Sequence, residues 1–202
     1  MDVGTALWGV VGILAKLYTR TGGIVDVSLL ETAAIWMQLY AAHYCASGEL
    51  PKRAGSGQAA IVPYRAYRTS DGDLVVGSGN NALFRKFCSV LGYPQWALDP
   101  RFAENSDRVA HQQALYALIE PEMAKRSNGE WIERLDAAGV PCAPVQNVGE
   151  MLAHAQMKAL GLLQPVAGSS IPLLGLPISF DGVRPDGGTA ATALGAHTKE
   201  IL

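Results

Sequence analysis

The chain has 202 residues, 49% of them hydrophobic and only 17% charged, with a formal net charge of −2. That is enough for one large domain or two small ones around a real core, and it excludes a disordered chain. The near-neutral balance gives no reason to expect nucleic acid, and three scattered cysteines (Cys45, Cys88, Cys142) without a CxxC pair read as reduced core residues of a cytoplasmic protein, not as a disulfide or zinc framework.

In chain order, Asp2 to Arg20 reads as a helix whose Ala6 to Tyr18 stretch is apolar on nearly every face. The run is too short to span a bilayer and lacks the start and cleavage site of a signal peptide. A helix of this kind is expected to be buried, so the chain is expected to be a piece of something larger or to be wrapped by a partner. Thr21-Gly22-Gly23 ends it, with Gly22 or Gly23 as the residue past the helix. Ile24 to Val27 is a predicted strand. Ser28 and Glu31 then open a capping box for a long helix from Leu29 to about Ala46. Asp26, between strand and helix, is either a candidate catalytic carboxylate or an acceptor for a backbone N–H at the helix entrance.

Ser47 to Pro51 breaks that helix and the composition changes. Arg53 to Tyr64 (Arg-Ala-Gly-Ser-Gly-Gln-Ala-Ala-Ile-Val-Pro-Tyr) is a glycine loop running into a strand pattern. Gly55 and Gly57 allow a sharp turn and a close approach to a ligand, and Ser56 and Gln58 add small polar handles. The stretch is either a cover over a polar or anionic ligand or a flexible turn between helix and strand. Ile61 to Arg68, the Asp71-Gly72 turn and Leu74 to Val76 form a predicted hairpin, with Pro63 putting its first strand at an edge.

Gly77 to Ala82 matches the loose dinucleotide fingerprint G-x-G-x-x-A. Two features oppose NAD binding: a strand after a hairpin is antiparallel, and Asp99 lies in a turn instead of at the end of a second parallel strand. Asn80 and Asn81 read more simply as N-cap residues of a helix from Ala82 to Leu91. Asp107 to Lys125 is a predicted amphipathic helix with Leu115, Leu118, Ile119 and Met123 on its stripe. Capping boxes at Ser127/Glu130 and Asn147/Glu150 open two further helices, the second reaching about Leu160, and Gly139 stops the first. Val140 to Val145 is extended, and Leu162 to Val166 and Ile171 to Leu174 are short strands. His43, His111, His154 and His197 show no metal-ligand spacing. The residues alone give an α+β protein with a possible ligand-covering loop and no evident catalytic group.

Several segments together resemble the family III CoA-transferases, the group of formyl-CoA transferase, carnitine CoA-transferase and α-methylacyl-CoA racemase. They are the Asp2 helix, Val25 to Glu31, the glycine loop with Pro63-Tyr64, Tyr67 to Gly72, Asp99-Pro100-Arg101-Phe102, Asn105 and Arg108, Ala138 to Val145, and Leu194 to Thr198. The resemblance implies an α/β architecture: a small α/β domain over 49–145, with 1–48 and 146–202 belonging to a Rossmann-like large domain of which this is the C-terminal half. It also implies an interlocked dimer, no tightly bound cofactor, and coenzyme A with acyl-CoA and a carboxylic acid as substrates.

The implied chemistry is acyl transfer through an aspartate, and the same reading places that aspartate upstream of Met1, with Asp2 at a later position. The isolated chain is then expected to be inactive, and a catalytically inactive dimerising fragment stays open beside half of a split enzyme. In some members a glycine-rich loop acts as a lid. Gly55, Ser56, Gly57, Gln58, Tyr64 and Asn80 are the corresponding lid and substrate-binding candidates, although Ser56 and Ala59 interrupt the glycine run. The racemase branch carries a glutamate where this chain has Asn80, and an amide cannot exchange an α-proton. The resemblance therefore implies a transferase before a racemase.

Overall fold

The computed structural model describes residues 1–202. Its centre is a three-stranded antiparallel sheet in the order β1-β2-β3, built from β1 (Tyr64–Arg68), β2 (Asp73–Gly77) and β3 (Cys142–Pro144). The Asp71-Gly72 turn sets the register Tyr67↔Leu74 and Arg65↔Val76, and β1 lies at the edge, as Pro63 predicts. Alternate residues of β2, Leu74 and Val76, are buried on one face.

Four helices follow β2: α4 (Asn81–Leu91), α5 (Asn105–Ala110), α6 (Gln112–Met123) and α7 (Asn128–Ala138). Phe84, Phe87, Cys88 and Leu91 recur at helical spacing and put one stripe of α4 into the core. Leu115, Ile119 and Met123 do the same for α6, and Trp131 and Leu135 for α7. The Trp131 indole N–H donates to the Met123 carbonyl at 2.8 Å, so the largest core side chain leaves no donor unpaired. Burying side chains such as Phe87 and Ile119 contributes about 1.5–3 kcal/mol each.

Before the glycine loop stand α1 (Asp2–Thr19), α2 (Leu29–Trp36) and α3 (Gln38–Ser47). After β3 come α8 (Val148–Ala153), α9 (Ala155–Ala159), a two-residue ladder of β4 (Leu163–Gln164) with β5 (Leu173–Leu174), and α10 (Thr198–Ile201).

Several expectations are corrected in detail. Within this chain α1 is not buried: Gly4 is its one buried residue, and Leu17 is 67% exposed. Arg20, at φ 53, takes the left-handed position past α1 in place of Gly22 or Gly23. Ile24 to Val27 finds no partner strand and stays outside any sheet. The long predicted helices are each divided: α2 from α3 at Met37, α5 from α6 at His111, and α8 from α9 at His154. His154 Nδ1 accepts from the Gln156 N–H and so caps α9. Leu118 points outward, and Tyr116 takes its place in the core.

Candidate functional site

The glycine loop leaves α3 at Gly48 and returns to the sheet at Tyr64, and its own backbone closes it into a hairpin-like turn. Gly57 N–H donates to the Ala54 carbonyl at 2.9 Å, and Gln58 N–H donates to the Tyr64 carbonyl at 3.0 Å. A Cβ on Gly57 would stand 3.1 Å from the Ala54 carbonyl, and Gly55 sits at φ 60, so a side chain at either position would strain the turn. The Ser56 hydroxyl accepts from the Ala66 N–H at 3.2 Å, pinning the turn onto β1.

The loop's second arm is clamped from beneath. Asn105 accepts from the Val62 N–H at 3.1 Å and donates to the Ala60 carbonyl at 2.9 Å. Arg108 is fully buried and donates to the Val62 carbonyl at 2.6 Å, to Phe102 and Ala103 carbonyls at 2.9 and 3.2 Å, and to the Asn81 side-chain oxygen at 3.0 Å. Its guanidinium also lies 4.5 Å from the Phe84 ring centre. Asn81 in turn donates to Glu104, so one buried cation ties the loop, α4 and the start of α5 together. Burial lowers the Arg108 pKa from its ordinary value, and Glu104 opposes that shift.

The turn after β2 completes the contact. A Cβ on Gly79 would run into the Ile61 side chain, and one on Gly77 would meet the Tyr64 ring at 3.0 Å. These two glycines therefore receive the loop. Sheet pairing removes the dinucleotide alternative, because β2 is antiparallel to both neighbours and supplies no parallel βαβ unit. Asp99 is engaged by the Arg101 guanidinium and backbone N–H.

Against the loop is a cavity of about 250 Å³, lined by Met37 at the α2–α3 break, by Tyr40 of α3 and by residues of the loop including Lys52, Arg53, Gly55, Gly57 and Gln58. Of the sequence candidates, Gly55, Gly57 and Gln58 share this cavity. Ser56 and Tyr64 instead fix the loop to the sheet. Asn80 is exposed and accepts from the Leu83 N–H at 2.8 Å, so its side chain caps α4. Met37, Tyr40, Lys52 and Arg53 were missed by sequence reasoning. Only the two cations left a signal there, as adjacent charges just ahead of the glycines.

Other chemistry is scarce near the loop. Burial raises the Cys88 thiol to about 12, and burial with Asp136 raises Cys142 to about 11, which keeps both protonated and unreactive. No three His, Cys, Asp or Glu side chains stand together as a metal site. Asp2 is exposed in the first turn of α1, where the positive end of the helix dipole favours a carboxylate.

Comparison with known proteins is consistent along the whole chain. The family profile described as CoA-transferase family III matches residues 1–198. The chain is 33% identical over 175 residues to acetyl-CoA:oxalate CoA-transferase of Acetobacter aceti, covering 85% of this chain and 44% of that protein. It is 30% identical over 208 residues to succinate–glutarate CoA-transferase of Agrobacterium fabrum, covering 100% of this chain and 52% of that one. A CAIB/BAIF family protein from Brucella suis, known as a crystal structure, is 31% identical with a TM-score of 0.78, covering 98% of this chain and 53% of that one. The chain thus spans about half the length of the relatives it matches. No helix is long and apolar enough to cross a membrane.

Proposed function

The chain belongs to CoA-transferase family III, and from that premise we propose that it supplies the lid-bearing part of an enzyme moving CoA from an acyl-CoA thioester to a carboxylic acid. The observation that carries this reading is the glycine loop, clamped at one arm by Asn105 and Arg108 and facing a cavity with Gly55, Gly57 and Gln58. In the reaction a carboxylate attacks the thioester carbonyl and expels CoA thiolate, leaving a mixed anhydride. The thiolate then attacks the enzyme's own anhydride carbonyl, releases the acid and forms an enzyme CoA thioester. The acceptor carboxylate reverses these two steps on itself. Division into small steps is what a covalent nucleophile offers. Water would hydrolyse each anhydride, so a loop able to close over the site protects the yield.

Transfer is favoured over racemisation because the Asn80 amide is engaged in capping α4 and has no exchangeable proton at a useful pKa. Relatives named for oxalate and for succinate and glutarate support a short dicarboxylic acid as one substrate. We divide the chain, in this reading, into a small domain over 49–145 and two flanks that join a Rossmann-like large domain. The exposed apolar surface of α1 to α3 supports cover by the remainder of that domain or by a second copy, as in an interlocked dimer.

The resemblance puts the nucleophile before Met1. A second assignment is favoured by the structure's own carboxylates. Asp2 is exposed, sits at the positive end of an 18-residue helix and has no side-chain hydrogen-bond partner. The experiment is transfer from succinyl-CoA to glutarate by the chain, alone and supplemented with the first half of a relative. Transfer in the supplemented sample supports the proposal; its absence from a folded complex overturns it. Asp2→Asn then separates the assignments, abolishing transfer under the second and leaving it within tenfold under the first.

A further inference from the structure

We propose that Lys52 and Arg53 form an anion subsite on the loop that takes the distal carboxylate of a dicarboxylic substrate. Its place in catalysis rests on the CoA-transferase reading, whereas its binding rests on the cavity. At about 250 Å³ the cavity falls below the range for drug-sized ligands and suits a small acid or the end of a short acyl chain. The lining separates by chemistry. Met37, Tyr40 and Pro51 give an apolar wall, Lys52 and Arg53 give two cations, and no carboxylate is among the lining residues.

Neither cation is engaged elsewhere. The four ion pairs of the chain are Arg65–Glu120, Arg68–Asp73, Arg101–Asp99 and Lys125–Glu122. The Gly55 and Ser56 N–H groups, on the same loop, donate to no backbone carbonyl. Two unpaired cations beside an apolar wall match a short methylene chain ending in a carboxylate, and the arginine fork can bind that carboxylate through two parallel hydrogen bonds. Holding the distal end on the loop itself also couples the presence of a diacid to loop position. A monoacid of equal length lacks the group that the cations would grip.

The test is a titration of the chain with glutarate and with pentanoate, following the Gly55 and Gly57 amide signals by NMR. Saturable shifts with glutarate binding at least tenfold tighter than pentanoate are expected. Lys52→Ala and Arg53→Ala should each weaken glutarate about tenfold without changing pentanoate. Equal affinities, insensitivity to both substitutions, or inorganic phosphate binding more tightly than glutarate would overturn the subsite. In the supplemented transfer assay the same variants should raise the glutarate KM and hold kcat. Selective glutarate binding without transfer supports the subsite and counts against the CoA-transferase reading. Transfer without diacid preference does the reverse.

Discussion

Between Val62 and Val140 the chain buries its apolar side chains, and on either side it displays them. All 16 members of the hydrophobic core lie inside that span. Outside it Gly4, Thr32 and Val166 are buried, while Leu7, Leu14, Ile35 and Trp36 are more than half exposed. The difference is not one of hydrophobicity. The α4 helix carries a single apolar stripe, and the sheet, α6 and α7 meet that stripe from nearby in sequence. Apolar on nearly all sides, α1 is covered within these residues only by α2, through Gly4 against Trp36 and a 3.0 Å hydrogen bond from Thr5 to Thr32, and by the extended stretch that follows α1, through Val25 at Gly12 and Val27 at Gly9. Burial depends on available partners as much as on composition.

The largest effect should come from breaking the centre. Phe87→Ala removes a fully buried ring and is expected to cost about 3–5 kcal/mol, read as a lower urea midpoint. Leu14→Ala, a comparable loss of carbon from α1, is expected to stay within about 0.5 kcal/mol in the same chain. Equal losses at both positions would show that α1 is packed in solution and would remove the distinction between regions. Next comes Arg108→Met, which keeps the length of the side chain but leaves the Val62 and Phe102 carbonyls without their donor. A loss of roughly 2–4 kcal/mol is expected, with faster amide exchange at Ala60 to Val62. Unchanged exchange at the loop would mean that the clamp holds nothing.

Much of the central fold is legible in the sequence because its signals are local. The Asp71-Gly72 turn, the Asn80 cap, the Ser127/Glu130 box and the left-handed Gly139 all act within one turn of chain, and all appear where the residues predict them. The helix breaks at Met37, His111 and His154 carry no Gly or Pro and leave no such mark. Arg108 was legible only as one residue of a family resemblance. An arginine on an amphipathic helix reads as solvated, and its burial is created by Val62, Phe102 and Asn81, which come together only in the folded state. The same holds for the cavity: Gly55, Gly57 and Gln58 were visible as a loop, but the wall comes from Met37 at the α2–α3 break and from Tyr40 of α3.

Two identical devices, one in each region, sharpen the comparison at smaller energies. Ser127 and Glu130 cap α7 in the centre, and Asn147 and Glu150 cap α8 in the flank, each with both reciprocal hydrogen bonds. Ser127→Ala is expected to lower the unfolding free energy by about 1 kcal/mol, because α7 carries Trp131 and Leu135 into the core. Asn147→Ala should lose helical content in α8 while leaving the urea midpoint in place, since α8 buries none of its residues. A shift of that midpoint would couple the flank to the centre.

The smallest effect is acid sensitivity, and its sign follows from hydrogen bonds in the centre. The Glu130 carboxylate is held below its ordinary range by the Ser127 backbone N–H first and the Ser127 hydroxyl second. Glu122 is lowered chiefly by its bond from Lys125, and Asp99 by the Arg101 guanidinium. A carboxylate with a depressed folded pKa binds its proton more readily when unfolded. Its contribution is therefore complete above the ordinary carboxylate range and disappears as pH falls through that range and below. Glu130 is exposed, and Asp99 and Glu122 are half-buried at the surface, so solvent screens each contribution and the slope should be shallow. The urea midpoint should accordingly hold steady from pH 7 to pH 5 and decline toward pH 3. Glu130→Gln should flatten the decline while lowering the plateau, because a neutral amide keeps an acceptor for Ser127 but has no proton to gain. A decline of the same steepness in that variant would move the acid response away from the α7 cap and onto the other two carboxylates.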